Sequence, residues 1–588
     1  MQTTTSESPM TNGFVAIESV RTSNAKKTLL ESMDIDFPEG TVTAIMGPSG
    51  SGKTTCMDFI SDNIASNLEA RGEVYLPGTF AFVPQEDSLH GFYTPTSYLR
   101  HYSRLAGTTV DQDEIDSLLA NLGLRDQKDT IVGDIFLKGL SGGQKRRLSV
   151  ALEALTKPQN FFLDEPTSGL DAESALQVMK FLTQYVRAAK GRRVILTIHQ
   201  PSSFIWQLID NVVLLSKGKL IYQGPRNRME NFFSFVGYPT PADYNPADHY
   251  VTAVNDEFSY HELSVKEWSN KYLEFKKQQH TAPFSRGERS ESIIEAQQKA
   301  EVLTVRGSSI SVVFELTRRY FLNLWFNPGI LGTRVAMYGM LALMVGALFW
   351  DVGNDDSYQA VQSRIALLFY CAAFFVFMSV AVLPFTVIER AIVDKEVRNS
   401  YYHPSLYQIA QGIASVPGCA LLAFLTTLIV ISMTGMREPM WYFLAMFLSL
   451  LCAEALAQLV SHVVPHFIIG MALVAGMYGF FMLVQGFMLV PSDFPAWLRW
   501  THNVAFHTYA WRSFMYSEFG DESVVFDSVQ LPTGFSVLET YEIEDVNRSN
   551  DMIVLLGYAL ILHLCSIVTL HFWYSAFKGR VVPPQRRK

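Results

Sequence analysis

The chain has 588 residues, which is too many for one hydrophobic core and predicts at least two domains. Its formal net charge of −9 at pH 7 argues against a nucleic acid as partner, and its five cysteines lack the CxxC spacing of zinc and dithiol redox sites. The last 258 residues hold 14 Lys and Arg and 18 Asp and Glu, whereas the first 330 hold 33 and 38. We therefore predict a soluble half followed by a membrane-embedded half.

The soluble half begins with a polar, Ser- and Thr-rich stretch, residues 1–13, which lacks the apolar core of a signal peptide and predicts a disordered tail. Residues 14–280 alternate short apolar runs with helical patterns, as in an α/β domain built on a parallel sheet. The runs predicted to be buried strands are residues 41–46, 80–83, 160–163, 194–198 and 211–215.

A phosphate-binding loop follows the first of these strands. Residues 47–54 read GPSGSGKT, which matches the pattern GxxxxGK[ST] between a strand and a helix. The glycines let the backbone curl so that successive N–H groups face phosphates, and the helix N-terminus adds partial positive charge. Lys53 is predicted to reach the β- and γ-phosphates of ATP, and Thr54 to bind Mg²⁺. The predicted ATP-binding residues of this loop are Gly47, Pro48, Ser49, Gly50, Ser51, Gly52, Lys53, Thr54 and Thr55.

Two adjacent carboxylates end another apolar run, FFLDE at residues 161–165. Asp164 is predicted to hold Mg²⁺, and Glu165 is predicted to polarise the attacking water as a catalytic residue. Many strands end in acidic residues, but the spacing of 112 residues between Lys53 and Glu165 favours a Walker B motif.

A third element, LSGGQ at residues 140–144, places small residues with free N–H groups at the start of a helix, which suits a γ-phosphate. With this motif the chain resembles the ATP-binding cassette superfamily. The resemblance implies that Ser141, Gly142, Gly143 and Gln144 bind the nucleotide.

The same resemblance assigns further motifs. Gln85, in the sequence FVPQE, matches the Q-loop residue that binds Mg²⁺, and His199, in TIHQP, matches the catalytic switch histidine that contacts the γ-phosphate. Residues 168–171, SGLD, match the D-loop. Cassettes usually stack adenine on an aromatic side chain upstream of the Walker lysine. Phe14 and Phe37 lie at unsuitable distances from that lysine, so no stacking residue is predicted.

A charged stretch at residues 281–310 predicts a linker. Residues 311–326 predict an amphipathic connecting helix at the cytosolic membrane surface, with an ordinary soluble helix as the alternative. Six apolar stretches follow, each near the length that crosses a bilayer. They predict an all-α transmembrane domain over residues 327–588, with spans at 331–350, 364–388, 406–434, 440–463, 467–490 and 551–573.

The charges between and after the spans predict the topology. An even number of spans puts both ends on one side of the membrane, and the basic C-terminal tail marks that side as cytosolic. Residues 518–550 carry eight acidic residues against Arg548 alone and are predicted to form an extracellular loop. Asn547-Arg548-Ser549 is a glycosylation sequon within this loop.

The domain order, with the cassette before the membrane domain, resembles the White (G) subfamily. So do four local sequences: LDEPTSGLD at 163–171, IHQPSS at 198–203, YQGP at 222–225 and NPAD at 245–248. One departure is Gln144, where the subfamily often has Glu. The resemblance implies a half-transporter, because one Walker A loop and one LSGGQ motif must meet those of a second chain to sandwich ATP. The second chain is either another copy, giving a homodimer, or another half-transporter, giving a heterodimer.

The resemblance further implies an ATPase that exports a lipid, a sterol or an amphipathic xenobiotic. It implies contact with membrane lipids, a cytosolic cassette and the plasma membrane as location. An obligate heterodimer subunit and a cassette-regulated channel without active pumping remain alternatives, whereas the six spans exclude a soluble cassette protein acting on ribosomes. By family analogy, aromatic and Met side chains of the second and fifth spans line an apolar cavity at the dimer axis, with plain lipid contact as the alternative. Phe487 and Met488 align with a plug above it.

Charged residues within the membrane half are costly and usually functional. Glu454, in the fourth span, is interpreted as a helix–helix contact or as a pathway residue. Six other charges are predicted to lie on a cytosolic loop after the second span, either as a solvated turn or as a coupling element that pairs with Glu315, Arg318 or Arg319. These six are Glu389, Arg390, Asp394, Lys395, Glu396 and Arg398.

Overall fold

The structure, a computed structural model, describes residues 13–24, 27–65, 67–134, 137–256, 263–278, 308–522, 524–527 and 529–576. These residues form two compact units. The first takes its described residues from Met1–Val312, Asp394–Tyr402 and Trp573–Lys588, and the second from Val313–Val393 and His403–Phe572. Most of the predicted tail and linker falls outside the described residues, although Gly13 belongs to the first strand.

The first unit contains strands in two sheets. In chain order the strands are Gly13–Thr22 (β1), Thr28–Leu30 (β2), Met33–Phe37 (β3), Val42–Met46 (β4), Leu68–Tyr75 (β5), Phe80–Val83 (β6), Asn160–Leu163 (β7), Arg193–Thr197 (β8), Asn211–Ser216 (β9) and Lys219–Pro225 (β10). The larger sheet has the order β10-β9-β4-β8-β7-β6, with β10 antiparallel to β9 and the other pairs parallel. In the smaller, antiparallel sheet β1 pairs with β2, β3 and β5.

All five predicted strand runs lie in the larger sheet, so the predicted α/β fold of this half is confirmed. Every residue of β4, β7 and β8 is buried, which fits strands covered on both faces. Because β4, β7 and β8 are parallel, the loops that follow them emerge at one edge of the sheet. This edge carries the Walker A, Walker B and switch-histidine sequences.

Helices cover the sheets of the first unit. They are Lys53–Ile60 (α1), Pro95–Leu105 (α2), Gln112–Asn121 (α3), Gly142–Ala154 (α4), Ala172–Arg187 (α5), Ser203–Gln207 (α6), Met229–Val236 (α7), Pro246–Ala253 (α8) and Val265–Gln278 (α9). Several begin at an N-cap side chain that accepts a backbone N–H bond. Thr94 caps α2, Ser141 caps α4 and Asp171 caps α5, each through the third residue along.

The remaining helices belong wholly or mainly to the second unit. They are Ser309–Phe326 (α10), Leu331–Leu348 (α11), Tyr358–Tyr370 (α12), Leu383–Arg398 (α13), Pro404–Thr434 (α14), Pro439–Val463 (α15), Phe467–Val484 (α16), Arg499–Val504 (α17), Phe506–Phe519 (α18), Gly534–Thr540 (α19) and Arg548–Ala576 (α20). Six segments of the described chain are long and apolar enough to cross a membrane, which confirms the predicted number of spans. These segments are Leu331–Asn354, Tyr358–Arg398, Pro404–Thr434, Pro439–Val463, Phe467–Val484 and Arg548–Tyr574.

The second span differs from the prediction. It is interrupted by a π-helical turn at Cys371–Phe375 and a 3₁₀ turn at Met378–Val382, and it continues through α13 to Arg398. The prediction that the charged cluster from Glu389 to Arg398 lies on a loop is therefore wrong, because these residues are helical. The apolar pattern ends before the helix does. The sequence analysis placed the end of the helix from this pattern alone.

Two other boundaries are corrected. The fifth span ends at Val484 rather than at residue 490, because Gly486 adopts a left-handed conformation with a φ of 109°. The predicted extracellular loop at 518–550 includes the end of α18, all of α19 and the start of α20. Glu518 is buried, where it accepts hydrogen bonds from Arg364 Nη1 at 3.1 Å and from the backbone of Arg437 at 2.9 Å.

Candidate active site

A cavity at the described edge of the large sheet contains most of the predicted nucleotide-binding loop. Residues 48–55 line it together with Glu165 and His199. The opposite wall is formed by Lys27, Thr28, Leu29, Ser216, Lys217, Asn255 and Asp256. No Phe, Tyr or Trp is among the described residues that line the cavity.

Two glycines fix the path of the loop. Gly47 has a φ of 150°, and a Cβ atom there would overlap the carbonyl oxygen of Leu215. Gly52 has a φ of 100°, and a Cβ atom there would lie 2.7 Å from Leu30 Cδ2. The loop can curl tightly around its centre only because these positions lack a side chain.

The Lys53 side chain folds back over the loop. Its Nζ donates hydrogen bonds to the carbonyl oxygens of Gly47 and Pro48, both at 3.0 Å. Burial lowers the pKa of the Lys53 ammonium group, and the charges of Glu165 and Asp164 oppose this shift. Ser51 Oγ is buried beside it without a hydrogen-bond partner among the described residues. A buried cation and an unsatisfied hydroxyl in a glycine-rich loop at a helix N-terminus fit a nucleotide phosphate chain.

The two Walker B carboxylates face different partners. Asp164 Oδ1 accepts a hydrogen bond from Thr197 Oγ1 at 2.5 Å, and this hydroxyl accepts one from the Glu165 N–H at 2.8 Å. Glu165 has a φ of 48°, and its Oε2 accepts a hydrogen bond from Gln85 Nε2 at 3.2 Å. Thr197, the last residue of β8, thus holds both acidic residues in place, and the sequence analysis missed it. Its signal was a lone hydroxyl in the apolar run at residues 194–198.

Arg146 is a second residue that the sequence analysis missed. Its buried guanidinium donates to the carbonyl oxygens of Pro84 and Asp164, both at 2.5 Å, and pairs with Asp87 Oδ1 at 3.0 Å. It therefore ties α4 to the loops that follow β6 and β7. In the sequence it belongs to a KRR run that looks like a solvated helix face. Only its helical spacing to the apolar residue Val150 places it on the buried side.

The LSGGQ motif spans the N-terminus of α4, and two of its residues hydrogen-bond each other. Ser141 Oγ accepts a hydrogen bond from the Gln144 N–H at 3.3 Å, and Gln144 Oε1 accepts one from the Ser141 N–H at 2.9 Å. This is a capping box, which a Glu at position 144 would also complete. Ser141 and Gly142 are exposed. None of the described residues that line the nucleotide cavity of the same chain belongs to this motif.

The two remaining motif residues lie at the surface. His199 is exposed at the cavity, two residues after β8. Asp171 of the D-loop accepts the Ser174 N–H at 2.9 Å, and this backbone hydrogen bond lowers the pKa of its carboxyl group.

Residues 394–402, at the end of α13 and beyond, pack inside the first unit against β6 and α4. The Asn399 side chain pairs with both backbone groups of Phe82, since Oδ1 accepts from its N–H at 2.7 Å and Nδ2 donates to its carbonyl oxygen at 2.9 Å. Glu153 of α4 is fully buried, accepts from Tyr401 Oη at 3.0 Å and pairs with Lys395 Nζ at 3.4 Å. Burial raises the pKa of the Glu153 carboxyl group, and the Lys395 charge opposes this shift.

Family models match both halves of the chain. A model described as "ABC transporter" matches residues 30–168, and two described as "ABC-2 type transporter" match residues 311–519 and 199–284. ABC transporter G family member 1 of Petunia hybrida is 31% identical over 604 residues, covering 98% of this chain and 92% of that protein. ABC transporter G family member 11 of Arabidopsis thaliana is 30% identical over 591 residues, covering 92% of this chain and 83% of that protein.

A relative from a distant organism gives the same result. ABC transporter G family member 22 of Dictyostelium discoideum is 29% identical over 582 residues, covering 95% of this chain and 93% of that protein. The Walker A loop, Glu165 and His199 line one cavity, a six-span helical domain follows in the chain, and the similarity to these relatives extends over both. The chain therefore belongs to the ABC transporter G family, the White subfamily, and is a half-transporter whose ATPase drives membrane transport.

Proposed function

We propose that two copies of this chain form a homodimer that exports a lipid, a sterol or an amphipathic xenobiotic. The cassettes lie in the cytosol and the spans lie in the plasma membrane. ATP binding closes the cassettes on each other, the membrane halves turn outward, and hydrolysis resets them.

The observation that supports the proposed dimer is the position of the LSGGQ motif. The cavity that contains the Walker A loop, Glu165 and His199 lacks this motif among its described lining residues, while Ser141 and Gly142 lie exposed at the start of α4. A helix N-terminus with free N–H groups suits a γ-phosphate that a second chain presents. Two chains arranged head to tail give two such composite sites.

Within each composite site, the residues have separate roles. Lys53 exchanges the carbonyl oxygens of Gly47 and Pro48 for β- and γ-phosphate oxygens. Glu165 orients and polarises the attacking water, and His199 contacts the γ-phosphate. Mg²⁺ would be held by Thr54, Asp164 and Gln85 and would supply positive charge to the phosphate oxygens. Because Gln85 Nε2 already bonds Glu165, a shift of the Q-loop moves the catalytic carboxylate directly.

The proposed route to the membrane domain runs through residues 394–402. Asn399 bonds Phe82, which lies three residues before Gln85 on the edge strand of the large sheet. Glu389 lies near the middle of α13, before residues 394–402, and is buried in the second unit. The proposed pairing of the charged cluster at residues 389–398 with Glu315, Arg318 or Arg319 makes Glu389 part of the coupling element. The Glu389→Ala variant should then insert normally but lose the coupling of ATP hydrolysis to transport, and unchanged transport would reject this role.

The proposal of an apolar cargo is supported by only some of the aromatic side chains that were predicted to line a cavity on the second and fifth spans. Phe374 and Phe480 are exposed on the second and fifth spans, where they can face cargo or lipid. Phe375, Tyr478 and Phe481 are buried in the core of the second unit, which fits neither the predicted cavity lining nor the alternative of lipid contact. Phe487, the proposed plug, stacks on Phe369 at a centroid distance of 4.2 Å.

The experiment is to express this chain alone, purify it and measure vanadate-sensitive ATPase and transport in liposomes with a panel of sterols, phospholipids and drugs. The homodimer predicts activity that cargo stimulates and that the Glu165→Gln variant lacks, with a loss of about 100-fold or more in kcat. An inactive chain that becomes active with another half-transporter would instead establish the heterodimer. Passive flux without ATP-driven accumulation would establish the gated channel.

A further inference from the structure

A small cavity inside the second unit is lined by polar side chains from five helices. Each helix gives it at least one polar side chain: Tyr320 from α10, Arg334 from α11, Glu389 from α13, Gln411 from α14 and Glu454 from α15. All five helices are apolar overall or lie beside apolar spans, where a polar group without a partner is costly. Each polar group of this lining therefore needs a hydrogen-bond partner.

Most of these polar groups are satisfied within the chain. Arg334 Nη2 pairs with Glu454 Oε2 at 3.1 Å, so these two charges cancel. The hydroxyl groups of Thr386 and Ser415 donate to the backbone carbonyl oxygens of Val382 and Gly412, and Gln458 Oε1 accepts from Gln408 at 2.9 Å.

Gln411 Oε1, an acceptor, and Arg334 Nε, a donor, are buried lining atoms that have no hydrogen-bond partner among the described residues. Gln411 is 7% exposed and Arg334 is 3% exposed, so bulk water does not reach them freely. A guest that satisfies both atoms must donate one hydrogen bond and accept one. A hydroxyl group does both with a single oxygen, whereas an ammonium group cannot accept and an ionised carboxylate or phosphate cannot donate.

The charge and the volume of the cavity further limit which molecules can bind there. Glu454 already neutralises Arg334, and Glu389 adds a buried carboxylate to the lining, so an anionic guest is disfavoured. An ammonium group cannot accept from Arg334 Nε, so a neutral guest is favoured. The cavity volume is about 80 Å³, and one ordered water takes roughly 10–15 Å³ on the same measure. The cavity thus admits a hydroxyl group with a few carbons, and its partly open side lets the rest of a larger molecule extend outward. Phe385 and Val382 supply apolar walls beside the polar atoms.

We propose that this cavity binds the hydroxyl end of a neutral amphipathic molecule, a sterol or another lipid alcohol, through Gln411 and Arg334. The proposal rests on the proposed export of such molecules and assigns the residues that select their polar end. It also gives Glu454 a role, because its carboxylate holds the Arg334 guanidinium in place at the cavity.

The test is photolabelling of the full-length protein in nanodiscs with four diazirine probes: a sterol and a diacylglycerol, each with its hydroxyl group free and as the methyl ether. At least one free alcohol is expected to label residues that line the cavity. Its methyl ether, which cannot donate to Gln411, is expected to label them about threefold to tenfold less. The sterol and diacylglycerol arms distinguish the two sources of the hydroxyl group.

A variant of Gln411 and a matched control variant test the role of this residue. Gln411→Leu removes the acceptor at similar volume and should reduce labelling by the free alcohol to the level of the ether. Thr426→Val, a buried polar-to-apolar change on the same helix whose hydroxyl bonds only its own helix, should leave labelling unchanged. Equal labelling by alcohol and ether in the wild-type protein, or labelling by no probe, would overturn the proposal and leave the cavity to water.

Labelling requires neither ATP nor transport, so the two proposals can fail separately. Hydroxyl-dependent labelling of a protein that neither hydrolyses ATP nor transports would reject the proposed function and keep the site. Cargo-stimulated ATPase without hydroxyl-dependent labelling would reject the site and keep the function.

Discussion

At the scale of single residues, buried polar side chains connect the parts of the cassette that must move together. Thr197 bonds the Asp164 carboxylate and the Glu165 backbone N–H, and Arg146 joins the helix behind the LSGGQ motif to the loops that follow β6 and β7. Neither residue lines the nucleotide cavity. They act by fixing the backbone on which Asp164 and Glu165 are carried.

Asp58 of α1 gives the cassette a pH dependence. Burial raises the pKa of its carboxyl group from 3.8 to about 6; the charge of Arg398 and a hydrogen bond from Asn63 oppose the shift, and the charge of Asp164 adds to it. Because the folded state favours the protonated acid, Asp58 contributes most to stability at low pH, and this contribution is lost as the pH rises through about 6.

The Asp58→Asn variant should therefore be more stable than the wild type above this pH. The expected gain in unfolding free energy is about 1–3 kcal/mol at neutral pH, and it should shrink toward zero near pH 4. Thermal unfolding of the full-length protein in detergent across this pH range measures it. Melting curves of variant and wild type that shift in parallel with pH would contradict the assignment.

At the scale of secondary-structure elements, α13 contributes residues to both units. Its first part lies in the second unit, and its last residues lie in the first, where Lys395 meets Glu153. Asn399, just beyond the helix, then bonds Phe82 of β6, the last strand of the large sheet. A side-chain amide that pairs with both backbone groups of one residue acts as an extra strand residue, so β6 and this segment should move as one piece.

Asn399→Asp tests this connection. The carboxylate keeps the acceptor for the Phe82 N–H but faces the Phe82 carbonyl oxygen without a proton to donate, so the pairing should break. The cargo-stimulated part of the ATPase should fall about fivefold or more, while the basal rate falls by less than about threefold. The control Asn121→Asp makes the same chemical change at an exposed position at the end of α3. Normal cargo stimulation in Asn399→Asp would show that force reaches the cassette elsewhere.

At the scale of the whole molecule, local patterns predicted the fold and most of the nucleotide cavity. The strands, the six spans and residues such as Lys53 and Glu165 follow from apolar runs and motifs that the sequence shows directly. The extension of α13 to Arg398 did not follow, since hydropathy marks where a helix leaves an apolar environment and not where it ends. Arg146 and Asn399 were missed because their roles depend on partners distant in sequence, such as Asp164 and Phe82.

The central claim is that ATP is hydrolysed only between the Walker A loop of one chain and the LSGGQ motif of another. Two purified heterodimers test it by their ATPase rates: one joins a Lys53→Met chain to a Ser141→Arg chain, and the other joins a wild-type chain to the Lys53→Met, Ser141→Arg double variant. Composite sites leave the first heterodimer with one intact site and about half of the wild-type rate, and the second with none. Activity in the second heterodimer and none in the first would show that each chain hydrolyses ATP within itself, and would contradict the account.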